Sequence, residues 1–170
     1  LLLTPQVLWG SHMGNIDWMI ALGLVLPPQI GVFFVLAKPQ IGAPIALFWL
    51  VEAWRKGGWR ETIRTFAPVS AALILSFALF GLWPLRSSGV IDVPWNISSF
   101  PYTLPVGIAL LTSAIRKHQF NLAILSSPFF SPYLAVYSLP VAVLGLLPLS
   151  LETIFVLLGL WFVFLLRGPT

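Results

Sequence analysis

An all-α fold, a polytopic transmembrane helix bundle of short, proline-broken and in part re-entrant helices, is what this sequence predicts, on three observations. Apolar residues make up 58% of the chain and charged residues 8%, with a mean hydropathy of +0.95. Soluble domains carry about 25% charged residues, so too few remain here to build a water-facing surface. The apolar residues run continuously instead of alternating, which selects helices over the strands of a membrane barrel. Lipid offers the backbone no hydrogen-bond partner, so each crossing must close its own bonds, as a helix does. At about 20 residues per crossing, roughly four to six passes fit in a single transmembrane domain covering residues 1–170.

Composition also excludes several function classes. There are no cysteines, which removes disulfide frameworks and thiolate metal sites, and two histidines do not make a zinc site without carboxylate help. No metal and no cofactor are therefore expected. A net charge of +4 and a pI near 10.0 would point to nucleic acid in a soluble protein. Here the basic residues lie between apolar runs and report topology, so no nucleic-acid partner is expected. The chain opens Leu1-Leu2-Leu3 with neither Met nor a charged leader region, and is expected to be part of a longer protein.

The elements follow from the breakers. Asn15 fits the cap of a first helix with Asp17 in its first turn, running to about Leu26, where Pro27-Pro28 stops it. A second apolar piece covers about Gln29 to Ala37 and ends at Lys38-Pro39-Gln40. A third, about Ile41 to Trp54, delivers the chain to a basic segment holding Arg55, Lys56, Arg60 and Arg64, cytoplasmic by the positive-inside rule. Glu52 and Lys56, spaced i and i+4, read as a helix-surface pair.

The cleanest span runs from about Ala67 to Trp83 and leads to an opposite-side polar loop, Arg86 to Phe100, in which Asn96-Ile97-Ser98 fits a glycosylation pattern. About Tyr102 to Ile115 returns the chain to Arg116-Lys117-His118, a second basic end on the same side as the first. Phe120 to Ser126 is too short to cross and reads as a half-helix or one arm of a re-entrant turn, stopped at Ser127-Pro128. Apolar runs at about Tyr133 to Leu147 and Glu152 to Leu166 complete the chain.

Ionisable groups at membrane depth cost about 2.5 to 3.5 kcal/mol, so each needs a reason. Lys38 is the sharpest case. It stands about 14 residues, roughly 20 Å, from the cytoplasmic end of the helix that follows it. Two readings stand open: a cation that holds a phosphate or other anion, or a lysine that snorkels to the outer interface. Asp17 reads as a general base, as a partner of Lys38, or as an interfacial carboxylate at a helix start. Asp17, Lys38 and the Ser127 to Tyr133 turn all fall on the non-cytoplasmic side, where acid, base and hydroxyls share one mouth. Gln40 fits a bond to a ligand hydroxyl or a simple cap. Trp9, Trp18, Trp95 and Tyr102 suit stacking on sugar rings and equally an interfacial aromatic belt. His12 and His118 read as interfacial and inert.

The run Gly14-Asn15-Ile16-Asp17, then Pro27-Pro28, then Leu36-Ala37-Lys38-Pro39-Gln40-Ile41-Gly42 and the end Trp54-Arg55-Lys56 resembles a known family. The likeness is to glycosyltransferase family 87, polyprenol-phosphate-mannose-dependent mannosyltransferase-like membrane proteins of the GT-C class. Ser127-Pro128 with Ser131-Pro132-Tyr133 is similar to a later segment of the same proteins, so the resemblance covers about Gly14 to Tyr133. It implies transfer of a sugar from a polyprenyl-phosphate donor at the extracytoplasmic face, with Lys38 matching the motif lysine and touching donor phosphate. That class carries its catalytic acid in a first outer loop that has no match here. Asp17 falls in the later segment, and the catalytic residue stays unassigned.

The expected ligand site is thus Asp17, Lys38, Gln40 and Tyr133. Its expected partners are a lipid-linked sugar and membrane lipids, in a multi-pass protein of a bacterial inner membrane. The rival expectation is a non-catalytic subunit of a larger membrane complex, respiratory or photosynthetic, in which Lys38 holds a lipid headgroup or a neighbouring chain. A small transporter fits less well, since no pair of broken helices repeats.

Overall fold

Proline sets most of the helix boundaries in this chain, of which a computed structural model describes residues 12, 16–82, 93–94, 96–135, 138–148 and 150–167. Helix α1, Asp17–Val25, starts with a carboxylate in its first turn, where the positive end of the helix favours negative charge. The expected cap, Asn15, lies outside the described residues. Pro27, in an extended conformation, separates α1 from α2, Pro28–Val35. Pro28 occupies the first turn of α2, where a missing N–H leaves no bond unmade.

Lys38 forms the corner between α2 and α3, Pro39–Phe80. Pro39 crowds the backbone before it, and Lys38 accordingly leaves the helical basin, at φ −128° and ψ 80°. The Lys38 side chain turns into the protein.

The basic segment from Arg55 to Arg64 is helical. Helix α3 runs through it and breaks only at Gly57 and Gly58, the second at φ 57° and ψ −141°, a conformation that an L side chain rarely tolerates. Glu61 and Thr65 line the same cavity as Trp49 and Ala53. Twelve unbroken helical residues would hold such groups about 18 Å apart. The second arm of α3 therefore doubles back along the first at this glycine elbow, and Gln29 of α2 donates to Glu61 Oε1 at 3.5 Å.

Helix α4, Leu104–Lys117, ends on Arg116 and Lys117, whose charge suits the negative helix end, and on His118 in the left-handed conformation at φ 55°. Helix α5, Phe120–Ser126, is about 10 Å long, short as expected, and tightens into a turn of 3-10 helix at Ser127–Phe130. The apolar run from Tyr133 to Leu147 is not one helix: residues 131–135 are irregular, and α6 covers Leu139–Leu144 with Pro140 in its first turn. Helix α7 spans Ser150–Arg167.

The core joins α1, α2, the first arm of α3, α4, α5 and α6 around Ile20, Val32, Ile45, Trp49, Ala114 and Ile124. Phe120 stacks on Trp49 at 5.5 Å between ring centroids and tilts against Phe48 at 5.6 Å. At the α2–α3 corner the packing is backbone on backbone. A Cβ at Gly42 would collide with the carbonyl of Val35, so only glycine lets α3 leave Lys38 so close to α2.

All regular structure among the described residues is helical. Among them α3 is the helix long and apolar enough to cross a membrane. Helices α1, α2, α4, α5 and α6, at 9, 8, 14, 7 and 6 residues, fall below the roughly 17 that a crossing takes.

Candidate functional site

Three stretches distant in sequence meet at Lys38. Its Nζ donates to Asp17 Oδ1 at 2.6 Å and to Ser138 Oγ at 3.0 Å. Ser138 in turn donates to Asp17 Oδ2 at 2.6 Å, closing a ring of three hydrogen bonds. The ring is sealed: Asp17 is 6% exposed, Lys38 7% and Ser138 2%. The ring of Tyr133 stands 5.9 Å from the ammonium, at the outer range of a cation–π contact.

Each member is positioned by a local cause. Asp17 sits where α1 begins, Lys38 where Pro39 forces a corner, and Ser138 at the position that caps α6. Ser138 makes no side-chain cap bond to its own helix, and its hydroxyl faces Asp17 instead. As acceptor from Lys38 and donor to Asp17, it relays charge complementarity across the ring. A carboxylate and an ammonium buried together neutralise one another, whereas either alone would cost several kcal/mol.

A second network fixes Tyr133. Asn96 donates from Nδ2 to the Pro132 carbonyl at 3.1 Å, and its Oδ1 accepts from the backbone N–H of Ser98 and of Leu134, each at 3.0 Å. Ile97 N–H donates to the Leu134 carbonyl at 2.8 Å. The amide that fits a glycosylation pattern thus clamps the segment carrying Tyr133.

The structure brings together Asp17, Lys38 and Tyr133 of the expected site. Gln40 is the second residue of α3, half-buried, and stays outside the ring. The hydroxyls expected at the mouth serve the backbone: Ser126 and Ser127 donate to the carbonyls of Ala123 and Ile124, and Ser131 to that of Tyr133. Ser138 was not anticipated; the signal for it is a hydroxyl directly before Leu139-Pro140, a helix-start pattern inside an apolar run. Trp18 and Tyr102 are exposed, at 57% and 88%, and Trp9 and Trp95 lie outside the described residues. No group of three potential metal ligands occurs among the described residues.

A different polar cluster occupies the far end of the first arm of α3. Glu52 pairs with Arg55 at 2.8 Å, at i+3 and not with Lys56 at i+4, and its other oxygen meets His118 Nδ1 at 3.0 Å. His118 is therefore engaged, against expectation, and Arg55 also donates to the Ile115 carbonyl, tying α4 to α3. Two cavities, of about 380 and 390 Å³, open at this end, and neither is walled by a member of the ring.

Comparison with protein-family models, with curated proteins and with solved structures finds no match. The functional reading accordingly rests on the residues themselves.

Proposed function

We propose that this chain is a multi-pass protein of a bacterial inner membrane and that the Asp17–Lys38–Ser138 ring is the resting form of a site for a polyprenyl-phosphate-linked sugar at the extracytoplasmic face. The membrane part is supported by the apolar surface. Leu73, Ile74, Leu75, Leu79 and Phe80 on the second arm of α3 are exposed, as are Leu151, Phe155, Leu158, Phe162 and Leu165 on α7. A helix apolar on every side needs either a protein core or lipid around it. From Lys38 to Arg55 is 17 helical residues, about 25 Å, close to the thickness of a hydrocarbon core. The two polar clusters then fall near opposite boundaries.

The observation that carries the ligand reading is a buried ammonium shared between a carboxylate and a hydroxyl beside an aromatic ring. Well-packed apolar residues would stabilise such a site as well or better, so a retained pair calls for a role. A donor phosphate displaces Asp17 from Lys38, the Ser138 hydroxyl turns its proton to a phosphate oxygen, and Tyr133 offers a face to the sugar or prenyl chain. The catalytic acid stays unassigned.

The test uses the full-length protein and the double variant Asp17→Leu/Lys38→Met, which removes both charges and keeps an apolar interior. Binding of a polyprenyl-phosphate sugar is expected to weaken by about 10- to 100-fold, the worth of charge-assisted bonds. Unchanged binding in a folded double variant would reduce the ring to a structural lock. That outcome favours the second reading, a non-catalytic subunit of a larger membrane complex. A partner co-purifying in fixed ratio and covering the ring would decide for it.

A further inference from the structure

The cavity between α2 and the two arms of α3 holds polar groups that the sugar-lipid reading does not use. Its volume is about 380 Å³, within the roughly 300 to 1,000 Å³ of ligand-sized sites. The lining is graded: Thr65, Trp49 and Ala53 are buried, Gln29, Glu52 and Glu61 half-buried, and Arg55 and Lys56 exposed. The cavity therefore has a closed floor and a charged mouth.

Thr65, on that floor, points to a ligand. It is 2% exposed, and its hydroxyl makes no hydrogen bond among the described residues. In a helix such a hydroxyl ordinarily turns back to the carbonyl one turn earlier, as Thr62 does to Gly58 at 3.0 Å. Thr65 forgoes that bond while buried, which costs free energy unless a group in the cavity takes it up.

Glu61 stands one turn back on the same face, its side chain 18% exposed. Gln29 Nε2 reaches it only at 3.5 Å and Arg64 only at 3.8 Å, whereas charge-assisted bonds close to about 2.7 to 2.9 Å. The Gln29 amide oxygen accepts nothing among the described residues. Glu52, by contrast, is held by Arg55 and His118 at 2.8 and 3.0 Å. A carboxylate, a hydroxyl and an amide oxygen thus line one cavity as unfilled acceptors, and a primary ammonium carries three N–H donors. Lys56 lines the same cavity with no hydrogen bond or ion pair among the described residues, a point charge suited to phosphate.

We propose that the cavity binds a phosphoethanolamine group, as a free ester or as a phospholipid headgroup, with the ammonium on Glu61, Thr65 and Gln29 and the phosphate on Lys56. A phosphocholine group has the same charges but no N–H donor, and the acceptors on the floor reject it. The choice of phosphate rests on the membrane part of the proposed function, which sets the mouth at the level of lipid headgroups. The site uses no member of the ring at Lys38.

Calorimetric titration of the full-length protein in detergent, with phosphoethanolamine and with phosphocholine, tests the free ester. Mass spectrometry of the lipid retained on protein taken from nanodiscs of equal phosphatidylethanolamine and phosphatidylcholine tests the headgroup. At least one arm is expected to prefer the ethanolamine form by about tenfold or more, the worth of hydrogen bonds from a charged donor, and the arm that does so identifies the source. Thr65→Val keeps the outline of the side chain and removes only the unpaired hydroxyl, so the melting temperature should hold or rise while the preference falls about tenfold. Glu61→Gln should abolish the preference. Equal affinity for the two forms, no binding in either arm, a preference that survives both substitutions, or a fall in melting temperature for Thr65→Val overturns the site. Failure of the chain to enter nanodiscs overturns the membrane part instead, and the titration in detergent then decides for or against the cavity.

Discussion

The first arm of α3 has a polar cluster at each end, built from similar residues and held in opposite ways. At the Lys38 end a carboxylate, an ammonium and a hydroxyl close on one another with almost no exposure. At the Arg55 end a carboxylate meets a guanidinium and an imidazole, with side-chain exposures of 30%, 38% and 59%. Water screens the second cluster and is excluded from the first. The same chemistry is thus strongly coupled at one end and weakly at the other, and substitutions should separate the two.

The largest effect belongs to breaking the sealed ring on one side. Asp17→Ala takes the carboxylate from the buried Lys38 ammonium, and is expected to cost about 3 to 5 kcal/mol of unfolding free energy. Asp17→Leu/Lys38→Met should recover most of that loss, since it removes the uncompensated charge with its partner. Reversible unfolding in detergent, run on both variants, measures the difference. If the single and double variants lose the same stability, the ring is not coupled and the comparison fails.

A smaller effect tests what holds the corner that carries Lys38. Gly42→Ala drives a methyl into the carbonyl of Val35, and backbone yields less readily than a side chain. A loss of about 1 to 3 kcal/mol is expected, as for overpacking. Gly58→Ala at the elbow meets no neighbour within 4 Å but is strained by its positive φ. Comparing the two by thermal unfolding separates steric fit at the sealed end from backbone conformation at the open one. Equal tolerance of Gly42→Ala would mean that the α2–α3 corner opens freely.

How much of this the sequence reveals follows the strength of each physical constraint. A charge among apolar residues must find a partner, and Asp17 and Lys38 are the one acid and the one Lys or Arg of the first forty residues, which makes their pairing legible. Pro39 after Lys38 marks the corner for the same reason: its ring leaves few alternatives. Ser138 was hidden because a hydroxyl carries no such obligation; it can bond its own backbone, as Ser126, Ser127 and Ser131 do. The elbow was half legible. Two glycines announce a break, but whether helix resumes at once depends on the packing of Glu61 and Thr65 against the first arm. The run from Tyr133 to Leu147 misled because its apolar continuity outweighed Pro132 and Pro140, which confine helix to Leu139–Leu144. The helical class needed only composition, whereas the number of crossings depends on lengths that these breaks cut short.

The smallest expected effect is the sharpest probe of the open end. Glu52→Gln keeps the shape of the side chain and removes its charge from Arg55 and His118. In detergent solution, where the three groups keep their exposure, the cost should stay within about 0 to 1 kcal/mol. It should also shrink as salt rises to about 1 M, where the screening length falls to roughly 3 Å. The sealed ring, closed to counterions, should show no matching salt dependence in Asp17→Ala. Should Glu52→Gln cost as much as Asp17→Ala and ignore salt, the Arg55 end is covered in the native protein by something that excludes water, and the contrast between the two ends would belong to the isolated chain alone.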